Sequence, residues 1–593
     1  MSATEAALGQ GRVALASGDW EGARAAFEAA LAEGPSPEAE EGVGRALWWL
    51  QDVDGAIFRL EQAYAGFRAR GDAVLAASVA LWLSREYAAV HGNAAAASGW
   101  YARAEGLLRD TDPGVQHGWL ALTRAERASE PAEVRRNAEE ALALARRLGD
   151  PDLEAAALAR LGYAEIAAGE VEAGTAKIDE AMAAATGGEV RSLETIGDVT
   201  CVAVAAFELA ADWQRVEQWG QVVEAWIRNH NDVAVLGFCY ACCAEMFVAS
   251  GEWEQAEGLL AEGLGALKAA GHRSRCVHPA AKLAELRLMQ GRIEEAEQLL
   301  AGFEELAEAA HALATLHMAR GQTALAAALL HRRLNAVGDD NVLAAPFLAL
   351  LVDVQLAQGD VQGAWATTDR LAGVAERSGL PRIAAATYLA RGRIGVAAGE
   401  PDAVRQLESA LSRFAAQGMA LQAARARSEV ARAIEDSQPE VAVGEARTAL
   451  AEFERLGAPR DADAAAALLR RQGVGGRTGP KHVGLLSRRE QEVLRLLAEG
   501  LTNAEIAGRL FISTKTAGHH VSNVLAKLSV RTRGEAAAWA LRNLDDLPVE
   551  GRSGNREPSR SFPAPPGPLS PRQTMEGVTS WRRGVWGTGE PTP

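Results

Sequence analysis

Short polar turns recur along the first four-fifths of the chain, each leading into a stretch with a helical apolar stripe. They read "SGDWEGA" from Ser17, "LQDVDGA" at 50–56, "AAGEVEAG" at 167–174, "AADWQRV" at 210–216 and "ASGEWEQA" at 249–256. "QGRIEEA" at 290–296, "QGDVQGA" at 358–364 and "AAGEPDA" at 397–403 continue the series. Several neighbours lie about 40 residues apart, so the period is that of a helix pair. A single pair cannot bury its own apolar face; stacked pairs share one continuous core and leave a concave inner surface. The expected fold class is therefore all-α. Aromatic residues at 5% and heavy use of alanine agree, because close-packed helices want small residues where a β-sandwich wants branched and aromatic ones.

The first unit carries the clearest detail. Gly11, Ala23, Phe27, Ala30 and Pro35 have the spacing by which small residues let two helices approach while a large one fills the gap. This unit resembles the tetratricopeptide pattern, and residues 1–470 are read as a tetratricopeptide-like α-solenoid of ten or more helix pairs. Its concave surface is expected to bind an effector or a protein partner of unknown identity. Trp20, Trp213 and Trp253 follow turns directly, where packing is the expected role.

The five cysteines, Cys201, Cys239, Cys242, Cys243 and Cys276, are an odd, clustered set that does not make a disulfide framework. On a helix 239, 242 and 243 share a face, as buried core thiols do. Cys276 with His278 is the pair that keeps a metal reading open, but no second CxxC follows at finger spacing, and neither metal nor cofactor is expected. No stretch reaches the roughly 18 apolar residues of a membrane helix. The start lacks a basic and an apolar signal region, which makes the cytoplasm the expected location.

Near residue 480 the charge changes sign. Residues 1–480 hold 45 Lys/Arg against 67 Asp/Glu, whereas 481–545 hold 10 against 6. The change coincides with a glycine-rich stretch, read as a flexible linker at 471–484. The Pro-, Gly-, Ser- and Arg-rich residues 547–593 are read as a disordered tail. Between them, 485–546 are punctuated by three capping boxes, Ser487/Glu490, Thr502/Glu505 and Thr532/Glu535, with Ser513 as a further N-cap. Four helices result. The second and third are separated by only "FIS", which forces the steep crossing of a helix-turn-helix.

Placed on a wheel, 513–528 separates cleanly. Ala517, Val521, Val524 and Leu528 make the core side. Lys515, His519, Ser522, Asn523 and Ala526 lie opposite, and His520 leans toward the core. Not one acidic residue occurs from 513 to 528, which suits a helix that approaches phosphates and base edges. Adjacent histidines point about 100° apart on a helix and chelate one metal poorly.

From Leu485, "LLSRREQEVLRLLAEGLTNAEIAGRLFISTKTAGHHVSNVLAKLSVRTRGEAAAWA" resembles the LuxR-type DNA-binding domain of bacterial transcription regulators. The resemblance implies a four-helix module that inserts its third helix into the major groove of double-stranded DNA, with the fourth helix helping two copies pair on the site. Ala517 stands where the family often has valine, Gly518 where many members carry a lysine, and Ser522 where a basic residue is frequent. Asn503, Lys515, Thr516, Lys527 and Arg531 are the expected phosphate contacts. His519, Ser522 and Asn523 are the expected base contacts. The rival reading is a solenoid adaptor whose C-terminal helices bind protein. No G-x-x-x-x-G-K-[ST], H-E-x-x-H or G-x-S-x-G occurs, so catalysis is not expected.

Overall fold

The computed structural model describes residues 3–128, 131–230, 233–338, 341–474, 488–510, 514–528, 530 and 532–543. Every described element is helical, and no strand occurs among them. No described helix is long and apolar enough to cross a membrane. The chain divides into two compact units whose boundary, Ala465/Ala466, falls inside the helix Pro459–Arg471. Arg471, counted above with the linker, ends that helix. The rest of the linker from 475 and the tail at 547–593 lie outside the described residues.

The first unit is a run of antiparallel helix pairs. In the opening pair, helices Ala3–Ser17 and Trp20–Glu33 pack with Gly11, Ala23, Phe27 and Ala30 buried between them. The Phe27 ring is clasped by glycines from both sides: a Cβ on Gly11 would lie 2.7 Å from it and one on Gly42 2.5 Å. Any larger residue at either position expels the ring, so small-on-large packing is obligatory here.

The turns follow one local recipe. Asp19, Asp52 and Asp360 each cap the next helix, accepting from the backbone N–H of Gly22, Gly55 and Gly363 at 3.0, 3.0 and 2.8 Å. Each satisfies one orphan donor of the first helical turn. The residue that reverses the chain is usually a glycine at positive φ, as at Gly169, Gly251, Gly291, Gly359 and Gly399. Where the repeat lacks one, Gln51 and Ala211 occupy the left-handed region themselves, at φ 65° and 54°. Pro346, inside the apolar "VLAAPFLALLV" run, opens the helix Ala345–Gln358 in its first turn, where a missing N–H costs nothing.

This unit also doubles back on itself. Arg382 donates to the Leu209 carbonyl at 2.6 Å, Arg275 reaches Glu86 at 3.4 Å and His272 Nε2 sits 3.1 Å from Gln51 Oε1, across separations of 173, 189 and 221 residues. One apolar core runs through Leu158, Phe207, Leu348 and Ile383, and another joins Leu260 and Leu286 to Leu421 and Phe453. Turn glycines mark the meeting points. Gly169 lies so near the Ser378 backbone that a Cβ would come within 2.7 Å of the Ser378 Cα, and Gly251 abuts Leu456. Trp253 is buried and donates to the Val248 carbonyl at 3.2 Å, Trp20 stacks on Trp49 at 4.4 Å, and Trp213 packs against the larger core.

The second unit contains the helices Arg488–Ala498, Asn503–Leu510, Thr514–Lys527 and Arg533–Asn543. Val493, Leu494, Leu497, Ile506, Ala507, Ala536 and Ala540 form its core with the apolar side of the third helix. Gly500, at φ 82°, ends the first helix.

Candidate functional site

The third helix of the second unit is held from three sides. Thr502 and Glu505 cap the second helix reciprocally: the Thr502 N–H donates to Glu505 Oε2 at 2.7 Å, and the Glu505 N–H donates to Thr502 Oγ1 at 3.3 Å. The Thr502 N–H and hydroxyl, both donating to Glu505 Oε2, hold its carboxyl below the ordinary pKa range. At the fourth helix the Glu535 N–H donates to Thr532 Oγ1 at 3.2 Å. Arg533 donates to the Leu501 carbonyl, tying the fourth helix to the loop between the first two. Ser487 and Ser513 lie outside the described residues, while Glu490, Ser487's expected partner, is buried.

Ala517, Val521, Val524 and Leu528 are all buried, at 0, 7, 0 and 8% exposure. Ser522 is exposed, Asn523 is half-buried on the same side, and His520 is half-buried. The side chains of Lys515, Thr516, His519 and Lys527, and Arg531 as a whole, lie outside the described residues. Two local features bear on how this helix meets a ligand. Ser522 Oγ donates back to the Gly518 carbonyl at 3.0 Å, so its proton is committed within the helix and its oxygen is left to accept. A Cβ on Gly518 would meet Asn503 Nδ2 at 3.4 Å, and Asn503 Oδ1 is buried without a hydrogen-bond partner. The glycine thus faces the start of the second helix, and Asn503 fills part of the space a longer side chain at 518 would use.

A second candidate lies within the array, where two neighbouring cavities of about 420 and 340 Å³ share Arg85, Glu194 and Asp198. Arg45 donates to both carboxylate oxygens of Glu194 at 2.9 and 3.1 Å and to Glu41 at 3.1 Å. Arg85 pairs with Asp198 and reaches Glu194 at 3.5 Å. Burial opposes the Arg45 charge, but Glu194 and Glu41 more than offset it and raise its pKa. Burial likewise opposes the charge of Glu194, and Arg45 and Arg85 overcome it and hold the carboxyl low. Behind them Glu86 is fully buried, accepting from Trp48 Nε1 at 3.1 Å and from Arg275. Trp82 and Trp119 supply apolar walls. Fixed charges of both signs beside aromatic rings suit a polar ligand carrying its own charge.

Of the cavity lining, only Cys201 and His278 were singled out from the sequence; none of the charged and tryptophan residues just named was. Their one signal is the Arg85–Glu86 pair, which interrupts an otherwise apolar helix, "AVLAASVALWLSREYAA". Cys239, Cys242 and Cys276 are buried, as core thiols are expected to be, and Cys201 and Cys243 are partly so. It is Cys242, not Cys276, that lies beside His278, with Sγ 3.7 Å from Nε2.

The model of the family described as "Bacterial regulatory proteins, luxR family" matches residues 484–540. The transcriptional regulatory protein LiaR of Bacillus subtilis is 52% identical over 58 residues, 10% of this chain and 28% of LiaR. The spore germination protein GerE of the same organism is 48% identical over 58 residues, 10% of this chain and 78% of GerE. The chain therefore spans little more than a quarter of the first relative and most of the second. The crystal structure of the APC/C hetero-tetramer Cut9–Hcn1 aligns over 78% of this chain and 95% of its own, at 14% identity and a TM-score of 0.34.

Proposed function

Because the chain belongs to the LuxR family of bacterial regulatory proteins, we propose that it is a sequence-specific, double-stranded-DNA-binding transcription regulator whose repeat array takes an effector or a protein partner. The observation that carries the reading is the third helix of the second unit. One side is sunk in the core through Ala517, Val521, Val524 and Leu528, and the acid-free remainder would enter a major groove. Asn503, Lys515, Thr516, Lys527 and Arg531 would hold phosphates. His519, Ser522 and Asn523 would meet base edges, Ser522 through its oxygen. Two copies would pair on a twofold-related site. On the array, the paired cavities around Arg85 and Glu194 are the proposed effector site, since charge and aromatic surface converge there.

The test is binding-site selection with the full chain, followed by the Lys515→Glu/His519→Ala double variant. The selected sequence is expected to lose roughly a hundredfold in affinity, leaving a weak, salt-sensitive remainder. A solenoid adaptor would select no sequence at all, and that outcome sinks the proposal.

A further inference from the structure

We propose that Glu208, Cys242 and His278 form a site for a divalent metal ion of the zinc class, clamping three successive helix pairs of the array. The three residues come from the helices Leu193–Ala210, Val233–Ser250 and Val277–Met289, which open consecutive pairs. One ligand atom from each lies within 4.8 Å of the other two. The separation of Cys242 Sγ from His278 Nε2, 3.7 Å, is close to the ~3.6 Å spanned by a thiolate and an imidazole on one tetrahedral zinc ion. A side-chain adjustment of about 1 Å brings the Glu208 carboxylate to the same centre. Sulfur, imidazole and carboxylate together are a set that zinc accepts and that magnesium or calcium does not.

What surrounds the ligands fits an ion as well. Lys282 donates to Glu208 Oε1 at 2.6 Å and to Glu245 Oε2 at 3.0 Å. Glu245 thereby balances the ammonium, and a carboxylate serves a lysine and a metal together, one oxygen each. The thiolate and the Glu208 carboxylate then balance a divalent charge in the interior. The His278 ring is fixed by stacking on Phe238 at 4.9 Å. Of the three ligands, His278 also lines the smaller cavity. A buried thiol that merely packs would need neither a ring nitrogen nor a carboxylate directed at it from two other helices.

The metal site shares His278 with the wall of the smaller cavity but needs neither DNA nor an organic effector to form, and its test reads the metal directly. Metal-stripped full-length protein is titrated with Co(II). One equivalent is expected to give the visible absorption of a four-coordinate ion with a thiolate-to-cobalt charge-transfer band, which Zn(II) then displaces. Cys242→Ser is expected to remove that band and weaken binding roughly a hundredfold, while Cys276→Ala leaves both unchanged. Glu208→Gln, at a half-buried position, is expected to keep the band and weaken binding roughly tenfold, and it carries the test if Cys242→Ser does not fold. No thiolate band in the parent protein, a band that survives Cys242→Ser, or unaltered affinity in Glu208→Gln would each overturn the proposal.

Discussion

The array and the C-terminal module are both helical, yet they hold their shape by different means. In the module the stabilising contacts span short stretches of chain: a reciprocal cap at Thr502 and Glu505, a one-sided cap at Thr532, and a small core shared by four consecutive helices. In the array, local contacts build each pair, but contacts between chain segments some two hundred residues apart set how the pairs stack. A change at one turn of the array is therefore felt far along the chain, whereas a change in the module stays within about sixty residues.

The largest expected effect is at Gly169. A side chain there meets the Ser378 backbone and must also adopt φ 94°. Gly169→Val is expected to destabilise the array by roughly 3 kcal/mol or more, read by denaturant unfolding. Hydrogen exchange should show the loss in the segments around both 169 and 378, with the module unaffected. Protection lost around 169 alone would mean that the long-range contact adds little.

Acid comes next. His272 is 1% exposed, its Nδ1 has no partner, and burial, together with nearby Arg275, lowers its pKa to about 4 from an ordinary 6.5. The unfolded chain takes up the proton first, so stability is intact above pH 6.5 and falls as the pH drops from 6.5 to 4. The full loss is about 3 kcal/mol. His272→Gln is expected to flatten that slope, while the module shows no matching step.

Smaller effects sharpen the other half of the contrast. Thr502→Ala removes one side of a reciprocal cap and is expected to cost about 1 kcal/mol, confined to the module in hydrogen exchange. Gly258→Ala, inside the helix Trp253–Ala269 with nothing within 4 Å of the new methyl, is expected to stabilise the array by up to about 1 kcal/mol. That gain would set it apart from the array glycines that are costly to replace because helices meet there or because φ is positive.

The same contrast explains what could be read from the residues alone. The helix-pair class and the turns from 50 to 403 were legible because small–large spacing and turn chemistry repeat locally. The buried side of 513–528 was legible because a wheel needs only the period of a helix. The partners of Gln51, Glu86 and Glu208 were not. They depend on the small rotation from one pair to the next, summed over several pairs, and no local pattern encodes that sum. Gln51 illustrates the point: its left-handed backbone looks like a flaw in the repeat until His272 is found against its side chain.

The close approach of Gly169 to Ser378 and of Gly251 to Leu456 has a mechanical consequence. A spring whose coils already touch cannot be shortened; it can only be stretched or unwound. At these two points, then, the array is a stop in one direction and a hinge in the other.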